Sequence, residues 1–432
     1  MRIKSNIPLF MIFLLLVVFP LFSGFEIVWA DSIIATILLG SPEDIEYNPS
    51  NEHVYVSNFF SNEVSVIDSF TNTVVENVSV GNRPTAIEYN PSNENMYVVN
   101  RDSDDVSVID SSTNTVIATI EVGDEPGAIE YNPSNENMYV VNRDSDDVSV
   151  IDSSTNTVIT TIEVGIIPVA IEYNPSNENM YVAVAGINTV SVIDSDTNTV
   201  IEDIKVGQGP VNLEYNPSNE NIYAVNTNSD DVSVIDSSTN TVITTIDIFS
   251  TSGAIEYNPS NENIYVDGGA SEVSVIDSST NTVIDEIPVV DTPNDLEYNP
   301  SNENIYVASG TFIGGVDGNI SIIESSSNTV IQVIPLGGGV TPHTLEYNPS
   351  NEYIYVADGD SPDSVSVIGN TPPTPPPSPM EGILGSGNNI NIQIQENSGN
   401  NAGGQSSDGD QMYSDESIYQ GQSTDQDSSV VS

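Results

Sequence analysis

Eight glutamates stand at one recurring place in the chain: Glu46, Glu88, Glu130, Glu172, Glu214, Glu256, Glu297 and Glu346, each opening the phrase "EYNPSNE". Carboxylates are hard oxygen donors, so a ring of them would attract divalent cations, calcium above all. Their competing use is structural: each is hydrated or held by a backbone amide, with its pKa raised by like-charged neighbours. Other chemistry is sparsely provided for. There is no cysteine, which excludes thiolate metal sites, cysteine nucleophiles and disulfides together. The two histidines, His53 and His343, fall in different parts of the repeating unit and are expected on opposite faces, which leaves no histidine-ligated copper or haem centre. A metal-assisted lyase with His343 as base is the remaining enzymatic reading; the expectation is a protein that is not an enzyme and has no certain cofactor.

The glutamates recur because the whole segment does. Tyrosines of successive phrases lie 42, 42, 42, 42, 42, 41 and 49 residues apart. In the second unit, "AIEYN", "NMYVVN", "DVSVID" and "TVIATIEV" are short runs rich in Val, Ile, Thr and Tyr, without helical periodicity, broken by the turns "PSNE" and "SSTN". Each unit therefore reads as a four-stranded antiparallel meander, strands a to d, and a repeated unit of this length is a propeller blade. Strands a, b and c each occur eight times. The chain opens with a d-type strand, "IIATILL" from Ile33, and stops after a c-type strand, "SVSVI" from Ser364. The expectation is an all-β, eight-bladed β-propeller of four-stranded antiparallel blades, closed by the N-terminal strand completing the last blade, with seven blades as runner-up. Strand a should line the central channel and gather the glutamates there.

Tyr97-Val98-Val99-Asn100, Tyr139-Val140-Val141-Asn142 and Tyr55-Val56-Ser57-Asn58, each followed by "VSVID" and "TNTV", resemble the YVTN-type β-propeller repeats of archaeal and bacterial surface-layer proteins. The resemblance spans about residues 33 to 369. It implies an exported, surface-associated binding or structural protein and supplies no catalytic residues. The Asn is lost in later units, as in Tyr265-Val266-Asp267-Gly268, and eight blades exceed the commoner seven.

The two ends read differently. Arg2 and Lys4, the apolar run "LFMIFLLLVVF" and the small-residue site ending at Ala30 form a secretory signal peptide over residues 1–30. The propeller is expected over 31–369, a proline-rich linker over 370–380 and a disordered low-complexity tail over 381–432. No membrane span is expected in the mature chain. With 63 acidic residues against 6 basic ones, the formal charge of −57 repels phosphate backbones and disfavours nucleic acid as a partner.

In such a meander the a–b and c–d turns share one face, and they are nearly invariant ("NPSNEN", "DSSTNT"). The b–c and d–a connections share the other and vary freely. Recognition residues concentrate on variable loops held by a rigid scaffold. Candidate ligand-binding residues there are Phe59, Phe60, Arg101, Arg143, Phe312 and His343, facing an extracellular protein or glycan, with Arg101 and Arg143 alternatively neutralising the neighbouring aspartates. "DSDD" resembles part of a calcium loop but lacks its glycine and distal glutamate. Self-association in an envelope lattice is the structural alternative.

Overall fold

The computed structural model describes residues 30–370 except 252, 270, 311–317, 338 and 360–362. The expected signal peptide, nearly all of the linker, the tail and Phe312 lie outside the described residues. Thirty-two strands and no helix are present among those described. They form eight four-stranded antiparallel sheets, seven of which take consecutive strands. The second blade shows the pattern: Pro84–Asn90, Asn95–Asn100, Asp105–Asp110 and Thr115–Glu121 are its strands a to d. Strands b and c match their sequence runs, whereas strand a starts two residues earlier, at a proline placed where no ladder N–H is needed. A register shift between Pro84 and Ala86 bends the entry to this strand.

The eighth sheet is the closure. It orders Asp31–Leu38 beside Ser364–Asn370, then Tyr353–Gly359 and Thr341–Asn348. Ile33 lies opposite Ile368, and Leu38 opposite Ser364. The first strand therefore supplies the last blade's missing d position, which excludes the seven-bladed alternative.

The apolar core lies between blades rather than within them. Tyr97, Val99, Val106 and Val108 of blade 2 pack against Ile129, Met138, Val140 and Ile151 of blade 3, and all eight blade interfaces repeat this layer. At the seam, Ile37 joins Tyr355, Val365 and Val367 against Ile45, Val54 and Val56 of blade 1. A blade alone would expose both of its apolar faces, so closure stabilises every blade.

"EYNPSNE" is the polar half of the same interface. Asn90 folds the turn: its side-chain Oδ1 accepts from the Ser92 amide at 2.9 Å, and its carbonyl accepts from Glu94 N–H at 2.8 Å. Glu94 takes a left-handed φ of 61°, and every copy of the phrase ends this way. Asn93 then donates to the Tyr97 hydroxyl at 3.0 Å and to the Ser153 carbonyl of blade 3 at 3.1 Å, while Tyr97 donates to Asn156 Oδ1 at 2.8 Å. Burial pushes the phenols of Tyr55, Tyr97, Tyr139 and Tyr355 up to about 12, keeping them donors. Blade 8 has no c–d turn to offer blade 7. There the Tyr306 hydroxyl donates to the Asp31 carboxylate, and Gln332 donates to the Asp31 carbonyl.

Closure by the opening strand has a direct test in thermal unfolding. A chain starting at Gly40 should melt more than about 10 °C below one starting at Asp31, because several apolar side chains lose their cover. A synthetic peptide of residues 31–39 should restore part of that loss. Asp31→Ala should cost about 1–2 kcal/mol by stranding the Tyr306 hydroxyl.

Candidate functional site

Strand a lines the channel because it is innermost in each blade, and its alternation sends Ile45 and Tyr47 into the core and Asp44 and Glu46 inward. All eight glutamates accept a hydrogen bond from the backbone N–H of the next blade's tyrosine. The bonds from Tyr47 to Glu346, Tyr257 to Glu214 and Tyr298 to Glu256 are each 3.2 Å. Tyr89, Tyr131, Tyr173, Tyr215 and Tyr347 serve Glu46, Glu88, Glu130, Glu172 and Glu297 in the same way. The circle is complete, and it is the backbone-amide use of the carboxylates weighed from the sequence. Among the described residues no three His, Asp or Glu groups are gathered closely enough to hold a metal ion.

Burial in the channel raises these carboxyls. Glu88, Glu172, Glu256 and Glu346 rise to about 8, and Glu46, Glu130, Glu214 and Glu297 are raised well above the ordinary glutamate value, burial leading in every case. Each side chain is half-buried, so solvent in the channel moderates the penalty. Two aspartates add a second layer. Asp44 accepts from Ile87 N–H at 2.9 Å and Asp295 from Leu345 N–H at 2.8 Å; burial lifts them to about 6 and about 7.

The variable face is organised around blades 8, 1 and 2. His343 does not precede strand a, as its place in the sequence suggested, but sits inside Thr341–Asn348 at the bulge, and its Nε2 is 2.9 Å from the Pro42 carbonyl of blade 1. Phe59 and Phe60 meet edge-on at 4.9 Å, with Phe60 71% exposed. Arg83 lies 5.2 Å above the Phe59 ring and bridges Asp102 at 3.2 Å. Sequence reasoning passed over Arg83; its only signal was a basic residue in the loop "GNRPT" of so acidic a chain.

Arg101 and Arg143 do converge, but on Glu125, at 2.8 and 3.4 Å, rather than on the aspartates beside them. Those aspartates are structural. Asp104 and Asp146 of the two "DSDD" loops accept from Glu125 N–H and Ile167 N–H, both at 3.0 Å, and Asp105 accepts from Asn100 at 2.7 Å. They hold Glu125 and Ile167 in left-handed backbone at φ 49° and 59°, ahead of Pro126 and Pro168. For a β-branched residue such as Ile167 this conformation is strained, so the loop is fixed by its neighbours rather than by its own preference. His53 opens strand b of blade 1 on the opposite face.

Eight four-stranded blades closed around an acid-lined channel define a β-propeller. No family model matches the chain, and no curated protein matches it. Among solved structures, "Dihydro-heme d1 dehydrogenase NirN in complex with DHE" is similar with a TM-score of 0.65 at 14% identity, over 77% of this chain and 73% of that one. Hydrazine synthase of Kuenenia stuttgartiensis is similar with a TM-score of 0.54 at 20% identity, over 77% of this chain and 96% of that one. At these identities the likeness is one of fold.

The raised carboxyls set the pH response. The folded ring keeps protons that an unfolded chain, with glutamates near 4.5, has already lost. Stability is therefore fullest below about 4.5 and declines as pH rises through about 8. The melting temperature should fall by about 5–10 °C from pH 5 to pH 8.5. Replacing Glu88, Glu172, Glu256 and Glu346 together by Gln should flatten the profile and raise the pH 8.5 value, since the amide oxygen still accepts the tyrosine N–H. An unchanged slope would remove the glutamates as its cause.

Proposed function

We propose that this propeller is an exported, non-enzymatic binding scaffold of the cell surface, akin to the YVTN type, that holds an extracellular protein or glycan on its variable face. One observation carries the reading. On the uniform face the repeated polar groups are engaged with one another across blade interfaces, whereas on the variable face an aromatic pair, Phe59 half-buried and Phe60 exposed, borders open cavities. Phe59 and Phe60 line one of about 340 Å³ with Glu43 and His343, and another of about 410 Å³ with Arg83 and Asp102. Exposed aromatic and arginine side chains beside such cavities are the usual anchors of an interface.

A lattice role has its own support. One Val or Ile of each outermost strand in blades 1 to 7, from Val75 and Ile117 round to Ile284 and Ile331, is about half exposed at the same position. This repeats an apolar spot around the rim and favours side-by-side packing of rings; size-exclusion chromatography with and without calcium reads it.

A glycan and protein array probed with the purified ring tests the primary reading, using two exposed phenylalanines on opposite faces. Phe60→Ala should weaken retention of any ligand about tenfold or more. Phe70→Ala, which alters a 94% exposed ring in a c–d turn of the uniform face, should leave it unchanged. The reverse result would transfer binding to the other face.

A further inference from the structure

We propose that the channel mouth at blades 8, 1 and 2 seats an organic cation: an ammonium group carried on an apolar stem. The inference rests on the reading of the variable face as a binding surface and names the chemistry of its ligand.

The eightfold pattern breaks at this mouth. Glu43 and Asp44 stand on one side of a cavity of about 610 Å³, while Thr85, Ala86, Gly127 and Ala128 on the following blades leave it open. Elsewhere in the ring the positions equivalent to Gly127 include Val169 and Val211. The polar groups at this mouth are incompletely engaged. Thr85 Oγ1 is buried without a partner, and the Glu43 carboxylate has His343 and Arg101 as its nearby cationic side chains. Burial raises Glu43 despite the nearby His343 and Arg101, so a cation brought to it would recover solvation the fold has removed.

The apolar half of the site adjoins this one. The cavity walled by Pro42, Phe59 and Phe60 shares Glu43 and His343 with the channel mouth. Phe59 already carries one cation, the Arg83 guanidinium, on its face. An alkyl stem laid over Phe60 and Pro42 would place its ammonium at Glu43 and Asp44, joining apolar contact to charge pairing. The other titratable groups lining this mouth are Glu46, Glu88, Glu346 and His343, with Asp358 beside His343 and Arg101 near Glu43. Because His343 is held against the Pro42 carbonyl of blade 1, its ring is fixed at the rim. A hydrated metal ion has no apolar stem to lay on the phenylalanines, and a neutral alcohol, although it can hydrogen-bond to the acids, brings no charge to pair with them. The shared chemistry therefore belongs to a free alkyl amine or to a lysine side chain of a protein partner.

Titration calorimetry of the full ring at low salt separates these cases. Hexylammonium should bind saturably at one site, and 1-hexanol at least about tenfold more weakly. Glu43→Gln and Phe60→Ala should each weaken hexylammonium several-fold at unchanged melting temperature. Glu214→Gln, on blade 5 across the channel, should not. Tighter binding of N-acetyl-lysine methylamide than of hexylammonium assigns the seat to a partner's lysine; the opposite order assigns it to a free amine. Non-saturable uptake, equal binding of hexanol, or equal loss in Glu214→Gln would overturn the proposal. Failure of every amine beside an array partner lost on Phe60→Ala removes the seat and leaves the binding role. Intact amine binding without any array partner supports the seat and removes that role.

Discussion

A circle of blades with no disulfide holds only if each blade is bound to the next as firmly as the first is to the last. Here that requirement is met by one bond set, repeated. A glutamate in the channel takes the neighbour's tyrosine N–H, an apolar layer fills the middle, and a buried tyrosine hydroxyl reaches the neighbour's outer turn. Inner rim, core and outer turn are thus tied at three radii. The single place where the chain cannot supply the usual partner is the seam, and there Asp31 stands in for the missing turn asparagine. The protein meets its topological demand by substituting one acceptor for another rather than by changing the interface.

Regularity makes departures from it informative. On the uniform face the side chains are consumed by the interfaces, and difference between units is suppressed. On the other face the same geometry holds the loops by a few fixed bonds, such as Asp104 to the Glu125 amide, and leaves the remaining side chains free to diverge. The largest divergence lies where the ends of the chain meet. Blades 8, 1 and 2 carry His343, Phe59, Phe60 and Arg83, together with Glu43 and Thr85, within one sector. At the positions of Glu43 and Asp44 the remaining sectors carry mostly small or aliphatic residues, Asn212, Asn294 and Asp295 excepted.

Blade number, strand types and the closing strand were legible because each depends on local pattern: β-branched alternation, turn residues at fixed offsets and a count of strand types. The inward aim of the glutamates was legible for the same reason. Their hydrogen bonds were legible only as one of two uses, since the choice depends on where the neighbouring amide stands. What the sequence hid were relations between units. "EYNPSNE" looked like a turn and proved also to be a stitch, because Asn93 and Tyr97 find their partners some sixty residues away in the next blade. The pairing of Arg101 and Arg143 on Glu125 was hidden likewise: nearest neighbours in sequence were the obvious partners, but the entry loop of blade 3, next to Arg101's blade and part of Arg143's own, lies closer in space. Arg83 reaches Phe59 by the same kind of crossing.

Because like charges on neighbouring carboxyls repel, a partly ionised channel circle is best charged at every second glutamate, which ties electrostatics to arithmetic. When every second carboxyl is neutral, each charged one has two uncharged neighbours, an arrangement available only to an even-membered circle. An odd circle is frustrated, like spins on a triangle: somewhere two alike must sit together. Duplication of a single unit, the simplest way for such a gene to grow, would thus install a permanent electrostatic fault in the lumen. Growth by two units, or loss of one glutamate with each odd addition, is the course this ring leaves open.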